Sequence, residues 1–276
     1  MNIDLHCHSN VSDGALAPAA VARRAARNGV EVWALTDHDQ LGGLAQAREA
    51  ARAEGMRFID GVEISVTWRG STIHVVGLRI DPANETLALG LARVRGGRIE
   101  RAQRMARELQ DAGIEGAFEG ALRHAENPAM VSRTHFARFL AEIGAVADLK
   151  DAFRKYLVAG KPGYVPHQWA ALADAVGWIR AAAGQAVLAH PGRYGLSAGA
   201  MDALLREFHD AGGEAIEVVT GSHSPDQFRH FGAVAAQYDF AASRGSDFHG
   251  PGEGAEFGTL PALDPSLRPV WRDWAL

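Results

Sequence analysis

Cysteine is almost absent from the 276-residue chain, which contains one, Cys7. A single cysteine excludes an intramolecular disulfide scaffold. The sequence also lacks a run of roughly 18 apolar residues, the length that a membrane-spanning helix needs. Its N-terminus lacks the basic and apolar regions of a signal peptide. We therefore expect a cytoplasmic protein without a membrane partner.

An excess of positive charge is missing as well. Lysine and arginine number 28 against 33 aspartates and glutamates, which gives a formal net charge of -5. That balance argues against a protein that binds duplex DNA through a basic face. Hydrophobic residues at 47% and charged residues at 22% are instead typical of a globular chain, and the length suits an α/β barrel with or without an inserted segment.

Short apolar segments alternate with amphipathic helical segments along most of the chain. We predict strands at 3–5, 30–37, 58–66, 72–80, 185–190, 215–220 and 240–249. The sequence WRGS between the third and fourth strands has hairpin character, and the alternation of strands with helices predicts parallel βαβ units. Residues 84–163 have mainly helical patterns, so we predict a helical insertion there and a barrel built from 1–83 and 164–276.

The chain has 12 histidines, and where they fall predicts a metal site. Most candidate ligands lie at or just after the ends of predicted strands, namely His6, His8, Asp37, His38, Asp39, Glu63, His190, Glu217, His223, Asp247 and His249. His74 is an exception because it lies inside its strand. In barrel and doubly wound folds the carboxyl ends of the strands converge on one rim, so we expect these residues to meet there.

Spacing and ligand chemistry support this interpretation. Residues i and i+2 of a strand point to one side, so His6 and His8 can share an ion while Cys7 points away as an inert, buried hydrophobe. Asp247 and His249 repeat the spacing. Imidazole and carboxylate together suit zinc, manganese or iron. A central glutamate can bridge two ions, and two ions about 3.5–4 Å apart can hold a hydroxide and clamp a phosphoryl group.

Two further patterns carry expectations about charged residues. Asp37 and Asp39 flank His38, and we expect them to orient imidazoles without binding metal. A run of arginines spaced by three could follow an RNA backbone, but with Glu100 and Glu108 nearby we expect a solvated helix face. The arginines of this run are Arg95, Arg98, Arg101, Arg104 and Arg107.

The metal-site segments resemble the PHP (polymerase and histidinol phosphatase) domain phosphoesterases. The matching pieces keep the family's order and span nearly the whole chain: DLHCHSNVSDG, LTDHD, GVEIS, IHVVG, AHPG and GSDFHG. The resemblance implies an α/β fold, a distorted TIM-like (β/α)7 barrel with a helical insertion, and a site for three divalent metal ions at its C-terminal rim. We expect manganese first, with zinc or iron as alternatives.

Carried over position by position, the resemblance implies nine metal ligands. His6, His8 and Asp247 would bind the first ion, and Glu63 would bridge it to the second. His74 and His190 would complete the site of the second ion. Asp13, His38 and His249 would hold the third. The residues that it implies for catalysis are Glu63, Asp247 and His223.

Within the family, the pieces SRTHFARFL and YLVAGKPGYV resemble a subgroup that removes the 3′-phosphate from 3′,5′-nucleoside bisphosphates such as pAp. Some members of that subgroup also trim short RNA from the 5′ end. The resemblance implies that the insertion caps the substrate and that Arg133 and His135 grip phosphate. It adds His223 and Lys161 as further substrate contacts.

The sequence therefore predicts a metal-dependent phosphatase that converts pAp to AMP and phosphate by attack of a metal-bridging hydroxide. Its partner would be a nucleoside bisphosphate or short RNA, with no duplex DNA and no obligate protein partner. Four alternatives stay open: a 5′-3′ exoribonuclease acting on short RNA, another PHP phosphatase such as histidinol phosphatase, an amidohydrolase, and a non-enzymatic metal-binding module of the regulatory or proofreading kind.

Overall fold

The computed structural model describes residues 1–275, and a seven-stranded sheet forms its centre. The strands lie side by side in chain order. They are β1 (Ile3–Asp4), β2 (Val32–Leu35), β3 (Arg57–Trp68), β4 (Ser71–Leu78), β5 (Gln185–Leu188), β6 (Ala215–Thr220) and β7 (Ala241–Gly245). All of them except β3 and β4 are short and almost wholly buried, as expected for strands covered on both faces.

Strand direction changes twice, on either side of β4. Strands β1, β2 and β3 are mutually parallel, as are β5, β6 and β7. Strand β4 pairs antiparallel with both β3 and β5. The predicted hairpin is confirmed: Trp68 pairs with Ser71, and the two turn residues Arg69 and Gly70 both have positive φ, as a two-residue hairpin turn of the favoured type requires.

The two ends of the sheet meet and nearly close a barrel. The Leu5 amide donates to the Arg244 carbonyl at 3.0 Å, and the Asp247 amide donates to the His6 carbonyl at 2.8 Å. Cys7 forms a parallel bridge with Phe248. The first and last histidine motifs of the chain are thereby brought together, and the predicted distorted TIM-like barrel is confirmed.

Ten α-helices accompany the strands within residues 1–275. They are α1 (Pro18–Arg27), α2 (Leu44–Ala53), α3 (Glu85–Arg95), α4 (Arg98–Asp111), α5 (Ala117–Arg123), α6 (Arg133–Glu142), α7 (Leu149–Ala152), α8 (Leu172–Ala181), α9 (Ala198–Asp210) and α10 (Pro225–Gln237). Helix α1 shows how local sequence sets its bounds: Pro18 occupies the first turn, where its missing N–H is harmless, and Gly29 follows the end of the helix at φ 76°. None of the helices in this part of the chain is long and apolar enough to cross a membrane.

Helices α3 to α7 occupy the segment predicted as an insertion, and they divide between two apolar cores. Leu87 and Leu91 of α3 are buried in the core of the barrel, where α3 packs against α8. A second core begins in α4 and contains Leu109, Phe136 and Leu157. The boundaries of an insertion at 84 and 163 stay a prediction, while the packing assigns α3 to the barrel.

The last strand ends earlier than predicted. Strand β7 stops at Gly245, so Asp247 and His249 lie in the loop after it and not within the strand. Asp247 has φ 56°, a left-handed conformation that an extended strand does not accommodate. The turn redirects the following residues across the rim of the barrel.

Two helical glycines differ in their surroundings and give a stability test. A Cβ at Gly90 of α3 would lie 2.3 Å from the Trp178 ring, whereas a Cβ at Gly177 of α8 would meet nothing within 4 Å. We expect Gly90→Ala to lower the free energy of unfolding by about 1–3 kcal/mol through overpacking. Gly177→Ala should raise it by about 0.5–1 kcal/mol, because alanine favours the helix. Urea unfolding of both variants checks this, and equal shifts of the same sign would contradict the packing of α3 on α8.

Candidate metal centre

The rim at the carboxyl ends of the parallel strands gathers the predicted ligands. His6 and His8 continue from β1, His38 follows β2, and His190 follows β5. The antiparallel direction of β4 explains the exception of His74. Because β4 runs the opposite way, its first half lies at this rim, and His74 pairs with Ser65, two residues beyond Glu63 on β3.

Glu63 lies at the centre of the cluster and is completely buried. Its Oε1 is 2.9 Å from His74 Nδ1 and 3.0 Å from His190 Nε2. Its Oε2 lies 3.0–3.2 Å from three further ring nitrogens, those of His6, His8 and His38. One carboxylate thus faces five imidazoles that come from four different segments of the chain.

The side chains form three overlapping groups whose donor atoms lie within 4.8 Å of one another. The groups are His6, His8, Glu63 and Asp247; His8, Asp13, His38 and His249; and His38, Glu63 and His74. Glu63, His8 and His38 each belong to two groups. His190 completes the set through its contact with Glu63. All nine predicted ligands are therefore brought together.

Unpartnered polar atoms test whether this cluster fits metal ions. Seven buried side-chain nitrogen or oxygen atoms of residues 1–275 lack a hydrogen-bond partner, and five of them belong to the cluster: His8 Nδ1, Asp13 Oδ1, His38 Nδ1, Glu63 Oε2 and His190 Nδ1. Buried polar atoms are nearly always partnered, because leaving them bare costs free energy. A concentration of bare nitrogen and carboxylate donors fits divalent cations.

The pKa values of the carboxylates in the cluster are held low despite their burial. Burial alone would raise the pKa of Glu63, but the imidazoles of His38 and His74 hold it well below its usual range. Neighbouring histidines likewise hold the pKa values of Asp13 and Asp247 well below the usual range of an aspartate, against the effect of burial. Burial lowers the pKa of His74 to about 4. Metal binds anionic carboxylates and neutral imidazoles, so a bound cation would displace protons from His6 and His8, whose pKa values the surrounding carboxylates raise against the effect of burial.

His6 is oriented by a residue that the sequence analysis did not single out for this role. Glu217 on β6 places Oε1 2.8 Å from His6 Nδ1, and its Oε2 accepts the amide of His190 at 2.7 Å. Glu217 is buried. It holds His6 through the ring and His190 through the main-chain amide. The only sequence signal for this role is that Glu217 is an acidic residue within the otherwise apolar strand AIEVVT.

The roles expected for Asp37 and Asp39 are wrong. Asp37 accepts hydrogen bonds from Ser9 and Ser12, and Asp39 accepts them from Ser65 and Arg98. Both carboxylates hold loops and hydroxyls in place and do not hydrogen-bond the imidazoles. These acids flank His38 in the sequence, but only packing decided which donors reach them.

The expectation of a solvated arginine face is also wrong for two members of the run. Arg98 and Arg101 are 5% and 6% exposed and lie over the Trp169 ring at 4.7 and 5.3 Å. They line the cleft above the metal cluster together with Arg133. Arg104 and Arg107 are exposed as expected. The first turn of α4 therefore directs its arginines towards the cleft and not towards solvent.

The structure brings some of the predicted substrate contacts into the cleft and not others. Arg133 lines it. His135 is buried, accepts the Ser132 amide through Nδ1 at 2.9 Å, and has its pKa lowered to about 4 by burial. Lys161 is exposed and lies outside the residues that line the cleft. The roles of His135 and Lys161 in phosphate binding stay predictions.

His223 lies behind the rim, and both of its ring nitrogens contact main-chain groups. Nδ1 lies 3.1 Å from the Val218 carbonyl, and Nε2 accepts the Gly192 amide at 2.9 Å. In this arrangement the ring fixes the loop that carries His190 and Arg193. Arg193 was not predicted as a site residue, yet its Nη1 donates to Asp247 Oδ2 at 2.8 Å.

Cys7 behaves as predicted. It is fully buried, its Sγ contacts the Ala34 carbonyl at 3.2 Å, and the Trp33 indole nitrogen lies 3.1 Å from the sulfur. Burial raises the pKa of the thiol well above its usual value. The thiol is therefore neutral and is directed away from the cluster.

The family model for the PHP domain matches residues 4–186. The chain belongs to the PHP domain family. It is a metal-dependent phosphoesterase, as the resemblance implied.

Relatives of this PHP phosphoesterase match it over nearly their whole length. A 3′,5′-nucleoside bisphosphate phosphatase of Chromobacterium violaceum is 54% identical over 99% of this chain and 96% of its own. The 5′-3′ exoribonuclease Rnm of Escherichia coli is 43% identical over 98% and 93%. A solved structure of an amidohydrolase from Chromobacterium violaceum, with bound sulfate and no metal, superimposes with a TM-score of 0.96 at 54% identity, over 99% of this chain and 95% of that one.

The bonds of Glu217 give a test of the metal centre. Glu217→Gln leaves one oxygen to accept from both the His6 ring and the His190 amide, so one donor will face an amide NH₂ group. We expect Mn²⁺ affinity to fall by about 10- to 100-fold, measured by titration calorimetry of the metal-free protein. The control is Glu49→Gln, an exposed change on α2. Unchanged Mn²⁺ affinity in Glu217→Gln would contradict the orienting role.

Proposed function

We propose that this PHP phosphoesterase removes the 3′-phosphate of 3′,5′-nucleoside bisphosphates and converts pAp to AMP and phosphate. The observation that carries the proposal is the pairing, in one cleft, of the ligand cluster around Glu63 with the arginines Arg98, Arg101 and Arg133. The cluster is suited to the phosphate that reacts and the arginines to a second phosphate. The 54% identical relative named as a 3′,5′-nucleoside bisphosphate phosphatase supports it.

We propose three divalent ions for the cluster, manganese first and zinc or iron as alternatives. His6, His8 and Asp247 would hold one; Glu63 would be shared with a second, completed by His74 and His190; Asp13, His38 and His249 would hold the third. When bound, such ions supply a hydroxide near neutral pH and stabilise charge on phosphoryl oxygens. Glu63 is suited to sharing because both of its oxygens face imidazoles and neither is reached by solvent.

Asp247 has one oxygen for the cluster and one for a cation at the rim. Its Oδ1 lies 3.5 Å from His6 Nε2 and 3.3 Å from His8 Nε2, while Oδ2 accepts from Arg193. Arg193 is about half exposed and lines the same cleft. It therefore orients Asp247 and leaves donors free for a phosphoryl oxygen of the substrate.

The arginines carry more positive charge than the nearby side chains neutralise. Asp39 pairs with Arg98, while the side chain of Arg101 donates from Nε to the Val165 carbonyl. Burial and the nearby cations Arg133 and Arg98 lower the pKa of Arg101 to about 9, so it stays charged at neutral pH. Planar guanidinium groups are suited to phosphate, and we assign them the 5′-phosphate.

A second candidate function is 5′-3′ exoribonuclease activity on short RNA. A neighbouring hollow opens from Asp247 and His249 and runs past Lys150, Phe153 and residues 252–255. It gives room for a chain that continues beyond the scissile phosphate, whereas a nucleoside bisphosphate needs none. The Escherichia coli relative is named for this activity.

The main assay follows phosphate release from pAp. With Mn²⁺, we expect one phosphate released per pAp and AMP as the product. Glu63→Gln should reduce turnover by at least about a hundredfold, because it removes the shared negative ligand. Circular dichroism of the variant serves as the control for folding.

Competing substrates separate the alternatives in the same assay. Faster release from histidinol phosphate than from pAp would contradict the proposal in favour of another PHP phosphatase. Faster cleavage of a short 5′-phosphorylated RNA would favour the exoribonuclease. Turnover of Glu63→Gln near the wild-type value would show that Glu63 is not shared between reacting ions.

The arginine assignment has its own test with paired substrates. pAp and adenosine 3′-monophosphate differ by the 5′-phosphate alone. Arg133→Ala should lower kcat/KM for pAp by about tenfold or more, since a charge-assisted bond to phosphate is worth about 1.5–3 kcal/mol. It should change kcat/KM for adenosine 3′-monophosphate much less.

The matched control for that test is Arg104→Ala, which removes an exposed arginine of α4 and should leave both substrates unaffected. If Arg133→Ala lowers kcat/KM equally for both substrates, Arg133 contacts the reacting phosphate and the assignment to the 5′-phosphate is wrong.

A further inference from the structure

The two oxygens of Asp13 have different partners. Oδ2 accepts hydrogen bonds from Ser132 Oγ at 3.0 Å and from Thr134 Oγ1 at 2.9 Å. Oδ1 accepts none and lies 3.5 Å from His249 Nε2 and 3.9 Å from His38 Nε2. One oxygen is therefore fixed by the start of α6, and the other is left free towards the histidines.

The start of α6 is itself firmly defined. Ser132 is its N-cap: its hydroxyl accepts the Thr134 amide, and its own amide donates to His135 Nδ1. A capped first turn restricts the backbone that carries both hydroxyls. Asp13 lies 119 and 121 positions away in the loop before α1, so the contact joins two distant segments.

A second contact ties the same face of α6 to the rim. Arg138 lies four residues after Thr134, on the same side of the helix. It donates from Nε and Nη2 to the two carboxylate oxygens of Glu253 at 2.9 and 2.7 Å. Glu253 lies four residues beyond His249. Helix α6 therefore contacts both rim loops that supply the Asp13 and His249 group.

We propose that Thr134, supported by Ser132, is a positioning residue for Asp13, and that helix α6 thereby sets the affinity for the cation held by Asp13, His38 and His249. The inference rests on the proposed function, because it assumes that this group binds metal. Without the two hydroxyls, Asp13 can rotate Oδ1 away from the histidines. Outer hydrogen bonds of this kind commonly change metal affinity by about 10- to 100-fold.

The test removes the Thr134 hydroxyl while keeping the shape of the side chain. Metal-free wild-type protein, Thr134→Val, Thr134→Ser and Thr72→Val are titrated with Mn²⁺, and the bound metal per chain is measured after desalting. Thr72 is the matched control because it lines the same cleft but lies in the β3–β4 hairpin. We expect Thr134→Val to weaken one of three Mn²⁺ sites by about 10- to 100-fold, with the other two unchanged.

The remaining variants distinguish positioning from a general loss of structure. Thr134→Ser keeps a hydroxyl and should restore the weakened site, and Thr72→Val should bind Mn²⁺ like the wild type. The melting temperature without metal should fall by only about 2–8 °C in Thr134→Val, because one hydrogen bond to Asp13 is lost while that from Ser132 remains. In hydrogen exchange, Mn²⁺ should protect α6 in the wild type and protect it less in Thr134→Val.

Three outcomes would overturn the inference. Wild-type Mn²⁺ binding by Thr134→Val with a raised KM for pAp would make the hydroxyl a substrate contact. Equal weakening of all sites would make it a structural residue. A wild-type chain that binds no Mn²⁺ and leaves pAp intact would overturn the proposed function and this inference together, so the failures are distinguishable.

Discussion

The buried carboxylate of Glu63 is the constraint on which the site depends. It lies in the middle of a strand, is inaccessible to solvent, and has its pKa held low, against the effect of burial, by the imidazoles around it. A buried charge is costly unless partners surround it. Those partners come from four segments between residues 6 and 190, so strands β1 to β5 must assemble correctly before the charge is compensated.

Above that centre, the helices over the cleft carry the opposite charge. Arg98 and Arg101 face inward from α4 because Trp169 covers their guanidinium groups and Asp39 pairs with one of them. The cleft thus has anionic carboxylates with metal-binding imidazoles on one side and arginines on the other. A small substrate with two phosphate groups is complementary to both sides, which links the fold to the proposed chemistry.

Much of this arrangement could be predicted from the sequence. The positions of the strands, the hairpin after Trp68 and the convergence of the histidine motifs follow from local patterns and from the geometry of barrels. The inward arginines could not be predicted, because a helix face that is basic in sequence becomes buried only when another segment covers it. For the same reason, spacing alone assigned the wrong partners to Asp37 and Asp39.

The sequence by itself determined which donors the site contains, since imidazole and carboxylate side chains at fixed spacing along strands have few other uses. Only the tertiary structure decided how they are held. The antiparallel direction of β4 brings His74 to the rim, Glu217 orients His6, and Thr134 contacts Asp13 across 121 positions. Such contacts depend on how distant segments pack, and no local pattern encodes the separation or direction of two side chains that meet only in the folded chain.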